Sequence, residues 1–216
     1  MIGKIAQRNL DSLKEDPQIA QLLNTVNGFG SSLILGGAIR DWFFGNPPKD
    51  IDIVVDCPAS KLKSLSEYSN KRNKFGGHKL TVSKTDFDIW SWEHSWALMN
   101  NPKFNKGLDT ITKAVFFNMD AIGYRLDTGE VVDNGFKAAL ESKTLDIVYE
   151  PNPYPFLQVS KALVMLKKYG MMPSAKLRYY VDDQKARGYN QISFARYQKL
   201  NYGDEIFNYD ECMKAI

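Results

Sequence analysis

The chain has 216 residues, 44% hydrophobic and 25% charged, with a formal net charge of +3. These proportions exclude disorder, a collagen-like repeat or a coiled coil as readings of the whole chain. Cys57 and Cys212 stand far apart in no metal-ligand spacing, and no apolar run approaches the roughly 18 residues of a membrane span, so the expectation is a soluble cytoplasmic protein with no disulfide scaffold, zinc site or membrane partner.

Taken in chain order, Ile5, Leu10 and Leu13, then Ile19, Leu22, Leu23 and Val26, recur at helical steps. Asp16-Pro17 separates two helices, with Asp16 as N-cap and Pro17 in the first helical position. Ser32–Leu35 reads as a buried strand entering a tight turn at Gly36-Gly37, and a short helix follows over 38–44. Two prolines make Gly45-Asn46-Pro47-Pro48 a loop. Residues 51–55 form a second strand and residues 60–68 a helix. A hairpin spans 78–83 and 86–90, turning at Lys84-Thr85, and residues 93–112 are irregular. Residues 117–124 and 130–133 flank the turn signal Asp127-Thr128-Gly129, and residues 144–149 make a further short strand. Pro151-Asn152-Pro153-Tyr154-Pro155 is the one strong boundary. Beyond it a helix runs from Phe156 to Tyr169, stopped by Gly170 and Pro173, and two or three short helices end the chain. The prediction is an α+β protein with a mixed, largely antiparallel sheet in residues 1–150 and a helical appendage in residues 151–216.

Charge is unevenly spread. Residues 151–216 hold 10 Lys and Arg against 6 Asp and Glu, and 8 of the 11 tyrosines. A basic, tyrosine-rich segment such as Arg178-Tyr179-Tyr180 with Lys185, Arg187, Tyr189, Arg196 and Tyr197 suits phosphates and stacked bases. A solvated helical face explains it nearly as well.

Two segments carry chemistry. Gly36-Gly37-Ala38-Ile39-Arg40-Asp41 puts two glycines between a strand and a helix, where bare backbone N–H groups can meet a phosphate. In Lys49-Asp50-Ile51-Asp52-Ile53, strand periodicity turns Asp50 and Asp52 to one face and Ile51 and Ile53 to the other. Paired carboxylates repel unless a cation sits between them or one is protonated, and hard oxygen donors with substrate phosphates make a Mg²⁺ site. Either feature alone has an ordinary explanation, a plain turn or a solvated strand end. Order and spacing strengthen both: 13 residues separate Gly37 from Asp50, and Asp86-Phe87-Asp88-Ile89-Trp90 supplies a third acidic strand. If that strand lies beside the first, three carboxylates can surround two metal ions. Periodicity does not choose between Asp86 and Asp88.

The run from Leu35 through Asp41, with Gly45-Asn46-Pro47-Pro48-Lys49-Asp50-Ile51-Asp52-Ile53, resembles the head domain of bacterial poly(A) polymerases and CCA-adding tRNA nucleotidyltransferases, within the DNA polymerase β-like superfamily. The GGxxRD turn, the proline loop and the D-x-D strand match in register. Phe87–Trp90, Ala121–Tyr124, Thr128–Asp133 and Pro153–Gly170 extend a weaker similarity into the start of the helical neck. The resemblance implies that Asp50 and Asp52 ligate two Mg²⁺ ions, and that Asp88 completes the catalytic metal and helps deprotonate an acceptor hydroxyl. It implies that Gly36 and Gly37 present N–H groups to an NTP triphosphate, that Arg40 holds phosphate or braces the turn, that Asp41 fixes the turn, and that Lys49 neutralises phosphate. The implied reaction moves a nucleoside monophosphate from an NTP to an RNA 3′ hydroxyl, tRNA among the candidates, with release of pyrophosphate. Ala114-Val115-Phe116 stands where the family carries Arg-Arg-Asp, and the neck segment lacks the family's arginines. Two alternatives therefore stand beside this one: the same chemistry on a protein or small-molecule hydroxyl, and a catalytically silent nucleotide- or RNA-binding protein.

Overall fold

A computed structural model describes residues 1–68, 71–73 and 75–216. By contacts the chain divides into two compact units, one of Met1–Val115 with Met119–Phe136 and one of Phe116–Asn118 with Lys137–Ile216. Residues 137–150 thus group with the C-terminal helices, ahead of the proline-rich segment.

The first unit opens with α1 (Ile2–Lys14) and α2 (Pro17–Phe29). Asp16 caps α2 as its periodicity predicts, accepting from the backbone N–H groups of Gln18 and Ile19, with Pro17 in the first turn. A six-stranded sheet follows, in the order β3-β4-β2-β1-β5-β6. The strands are β1 (Ser32–Leu35), β2 (Ile51–Val55), β3 (His78–Val82), β4 (Thr85–Ser91), β5 (Ile122–Arg125) and β6 (Val131–Asp133). Every pairing is antiparallel except β2 with β4. The expected mixed, largely antiparallel α+β sheet is the observed one.

Alternation sorts the faces. Ile51, Ile53, Phe87 and Ile89 are all buried on one side, as are Ile34 on β1 and Leu80 on β3. On the other side Leu33 and Val54 join Leu98, Leu108 and Ile111 in a second apolar cluster, edged by Trp90 and Trp92. Those last three side chains come from α4 (Trp96–Asn100) and α5 (Leu108–Ile111), two short helices within the stretch expected to be irregular. Their brevity hides them, because one or two turns carry too few apolar residues to register a period.

Other departures have equally local causes. The helix expected at 60–68 is a 3-10 helix, Ala59–Glu67, whose buried side chains Leu62 and Leu65 lie three apart and suit three residues per turn. The hairpin turns on Ser83-Lys84, one residue earlier than expected, with φ of 48° and 71° at the two positions. The segment before β5 contributes only Ile122–Arg125 to the sheet.

The division between units falls at the start of α6 (Phe136–Ser142), a helix the turn signals concealed. In the second unit β7 (Thr144–Leu145) pairs in parallel with β8 (Met172–Pro173), so only two residues of the expected strand at 144–149 are in a ladder, and Ile147 makes a single bridge to Phe117. Around these run α7 (Pro155–Tyr169), α8 (Ala175–Ala186), α9 (Gln191–Tyr202) and α10 (Tyr209–Met213). Pro155 opens α7 and Gly170 closes it in the left-handed conformation at φ 61°. Ser174, Asn190 and Asn208 cap the next three helices with their side-chain oxygens. Val159, Ala162 and Leu163 of α7 are fully buried, and the Ser160 and Tyr189 hydroxyls are 2.9 Å apart.

Candidate functional site

The predicted catalytic, metal-binding and phosphate-binding residues, Gly36, Gly37, Arg40, Lys49, Asp50, Asp52 and Asp88, all lie in the first unit. The register of the parallel pair is the central fact. Asp52 on β2 stands directly opposite Asp88 on β4, flanked by the buried pairs Ile51–Phe87 and Ile53–Ile89. Opposite residues of paired strands present their side chains to the same face. Asp52 and Asp88 therefore share a face, and their hydrophobic neighbours anchor both from behind. Asp50 precedes β2 by one residue and is half-buried. Asp86 is exposed near the hairpin end and accepts a 2.6 Å hydrogen bond from the Thr81 hydroxyl. Periodicity left Asp86 and Asp88 equivalent; register pairs Asp88 with Asp52.

Topology brings the glycine turn to the same end of the sheet. Because β1 is antiparallel to β2, with Ile34 opposite Ile53, the chain leaves β1 where it later enters β2. There it turns directly into α3 (Gly36–Phe43), whose preceding residue, Leu35, makes no side-chain cap. The N-cap position thus offers no side-chain oxygen to the first N–H groups of α3, where the positive end of the helix dipole lies. The two glycines differ. A Cβ at Gly36 would collide with the backbone of Asp120, whereas one at Gly37 would meet nothing nearer than Arg40 Nη2 at 3.9 Å. Gly36 serves close packing, and Gly37 leaves the helix start open.

Arg40 is buried, and its guanidinium bonds to Asp120 and, at 3.1 Å, to Asp41. Both partners are themselves buried. A buried guanidinium between two carboxylates ties α3 to the segment before β5. Lys49 is exposed on the bend just before Asp50.

Sequence reasoning missed two residues that touch the acidic face. Lys79 lies opposite Asp88 across the β3–β4 ladder and places Nζ 3.3 Å from its carboxylate. Asn73 Nδ2 donates to the same carboxylate at 3.0 and 3.3 Å. Burial pulls the Lys79 ammonium down. Asp88, by charge and hydrogen bond, and then Asp50 and Asp52 more than offset this, and its pKa stays above the ordinary 10.5. The alternating pattern of β3 could have put Lys79 on the polar face, but only the register shows which residue it meets. Among the described residues, no three His, Cys, Asp or Glu side chains form a ready-made metal cluster.

In the second unit the basic, tyrosine-rich stretch does not make one surface. Tyr180 and Tyr189 are buried, Tyr179 is exposed, and Arg187 is paired with Asp183 at 2.7 Å. Among the described residues no helix is long and apolar enough to cross a membrane.

Residues 32–145, more than half of the chain, match the family described as the poly A polymerase head domain. Comparison with curated proteins finds no match. Among solved structures, a CCA-adding enzyme in complex with CTP aligns over 92% of this chain and 49% of its own, at 18% identity and a TM-score of 0.61. The Thermotoga maritima CCA-adding enzyme complexed with tRNA aligns over 92% of this chain and 50% of its own, at 17% identity and a TM-score of 0.64. A further structure, described as a tRNA-processing enzyme in its apo form, aligns over 84% and 52% at 18% identity and a TM-score of 0.60. At such identities the likeness is one of fold, and the chain spans about half the length of these structures.

Proposed function

The chain belongs to the poly(A) polymerase head-domain family, and from that premise we propose that it is a metal-dependent nucleotidyltransferase that moves a nucleoside monophosphate from an NTP to an RNA 3′ hydroxyl and releases pyrophosphate. The observation that carries this reading is the register pair Asp52–Asp88, at the end of the sheet where α3 begins. Solved neighbours with CTP and with tRNA support a nucleotide donor and make tRNA the first acceptor to test.

The donor set suits a hard divalent cation. It is all carboxylate oxygen: Asp52 and Asp88 stand opposite each other in register, and Asp50 immediately precedes β2. Asp50, Asp52 and Asp88 would hold Mg²⁺, two ions on the family pattern. Bound there, the ions would neutralise triphosphate charge and lower the pKa of the attacking hydroxyl. The N–H groups at the start of α3 offer donors to the triphosphate, with Gly37 keeping the approach clear. Lys49 supplies a surface cation next to Asp50 for a phosphate oxygen. Asp88, steadied by Asn73, is the carboxylate we assign to accept the acceptor hydroxyl's proton. Arg40 and Asp41 hold the turn.

The test is transfer of label from each of the four NTPs to total RNA in Mg²⁺, with the wild-type chain beside Asp52→Asn and Asp88→Asn. Label enters RNA with the wild type. Either variant lowers the rate by about 1,000-fold, the scale of several kcal/mol of charge stabilisation. Absence of label from RNA with every NTP would overturn the proposal, and label found instead in protein or a small molecule would reassign the acceptor.

A further inference from the structure

We propose that Lys79 is a positioning residue for the acidic site: its ammonium is a resident counter-cation that offsets the repulsion between Asp88 and Asp52 when no metal is bound, and that a divalent ion must overcome in order to bind. The inference rests on the assignment of Asp50, Asp52 and Asp88 as metal ligands and goes beyond it, since nothing in that assignment calls for a lysine on β3.

Geometry carries the argument. β3, β4 and β2 are neighbouring strands of the sheet, and the row Lys79–Asp88–Asp52 crosses them through two register pairs. Cross-strand partners on one face stand about 4.5–5.5 Å apart at Cβ, so three charges in the order plus, minus, minus lie side by side. Without Lys79 two carboxylates would stand opposite each other in that row, and like charges directly opposite are destabilising in a sheet. Lys79 Nζ lies 3.3 Å from Asp88 Oδ2.

Asn73 fixes the other side of the same carboxylate, and its orientation is not free. Its Oδ1 accepts 2.9 Å hydrogen bonds from the N–H groups of both Phe75 and Gly77. The amide nitrogen must then point the opposite way, toward Asp88, which it reaches at 3.0 and 3.3 Å. Gly77 permits this approach, because a Cβ there would stand 2.6 Å from Asn73 Nδ2 and 3.1 Å from Asp88 Oδ1. Among the described residues, Asp88 is thus oriented by the neutral Asn73 donor and by the flexible Lys79 cation. The Lys79 side chain is 53% exposed against 13% for Asp88. A long, half-solvated side chain can swing away at small cost, whereas the carboxylate stays where it is. Lys79 is therefore the element of the cluster suited to yield to a stronger cation.

Two opposite effects follow from one charge. Removing it exposes the metal-free chain to carboxylate repulsion, and it also removes a positive charge from beside an incoming cation. The experiment is Mn²⁺ titration of the full chain by electron paramagnetic resonance, with thermal melting in EDTA and in saturating Mn²⁺, for wild type, Lys79→Met and Lys79→Arg. Lys79→Met binds Mn²⁺ about 3- to 10-fold more tightly, a range set by a partly solvated charge a few ångströms away. It melts below wild type in EDTA and recovers in Mn²⁺. Lys79→Arg keeps the charge and stays near wild type in both measurements. Equal or weaker Mn²⁺ binding by Lys79→Met, or an unchanged melt in EDTA, overturns the role of Lys79 while leaving the metal assignment in place. Failure of the wild type itself to bind Mn²⁺ overturns the assignment and this inference with it.

Discussion

Gly36 and Gly37 are adjacent in sequence and unlike in what they tolerate. The close approach of α3 to the Asp120 backbone leaves no room for a methyl group at Gly36, and Arg40 draws the same two segments together through its bond to Asp120. Gly36→Ala should lower stability by about 1–3 kcal/mol through overpacking. Gly37→Ala, with open space around it, should leave stability nearly unchanged. Urea unfolding of the two variants beside wild type checks this, and equal midpoints would show that the contact at Gly36 is soft. Asp52 and Asp88 illustrate the complementary case, polar residues held in place by apolar neighbours. Ile51, Ile53, Phe87 and Ile89 fill the core behind them, so carboxylates can stand side by side without the strands parting.

The β3–β4 hairpin shows where local chemistry and local sequence disagree. Ser83 and Lys84 both take positive φ, as a two-residue type I′ loop requires, yet neither favours it. Replacing the pair with Asn-Gly should raise stability by about 0.5–1 kcal/mol, since Asn and Gly enter that region readily, and a thermal melt would register it. A decrease would show that Ser83 contributes more, through its 3.1 Å hydrogen bond to Gln18, than the backbone stores as strain. The same loop explains one limit of reading elements from sequence. With no glycine or asparagine to mark the turn, periodicity alone sets its place, and it falls one residue late. Elements with long or capped signals were legible: α2 behind Asp16-Pro17, α7 between Pro155 and Gly170, β1 running into the glycine turn. Short ones such as α4 and α5 were not, because their apolar residues are spent on a cluster assembled from distant parts of the chain. Of the site, the carboxylates and glycines could be named from spacing and resemblance. Lys79 and Asn73 could not, because their importance lies in which residue they face across a ladder, and facing is a property of register.

At the scale of the whole molecule, pH should act through His78. Its imidazole is almost fully buried on β3, and among the described residues its Nδ1 has no hydrogen-bond partner. Burial, then the charges of Arg72 and His94, push its pKa below the ordinary 6.5, against an opposing pull from Asp88. The unfolded chain therefore takes up this proton more readily than the folded one. Its contribution is undiminished above the unfolded value of about 6.5 and falls away as the pH drops below that, through the lower folded pKa. Denaturant unfolding measured from pH 7.5 down to pH 5 should show stability declining over that window, with a shallower decline in His78→Leu. Identical slopes would assign the acid sensitivity to other groups. The parallel pairing of β2 with β4 has a consequence in time. Between Asp52 and Asp88 lie the 3-10 helix and the whole of β3, so the two carboxylates belong to segments that leave the ribosome well apart. Parallel neighbours need such a crossover before they can join. During synthesis the first carboxylate must wait, exposed and without its partner, until β4 has emerged and slotted between β2 and β3.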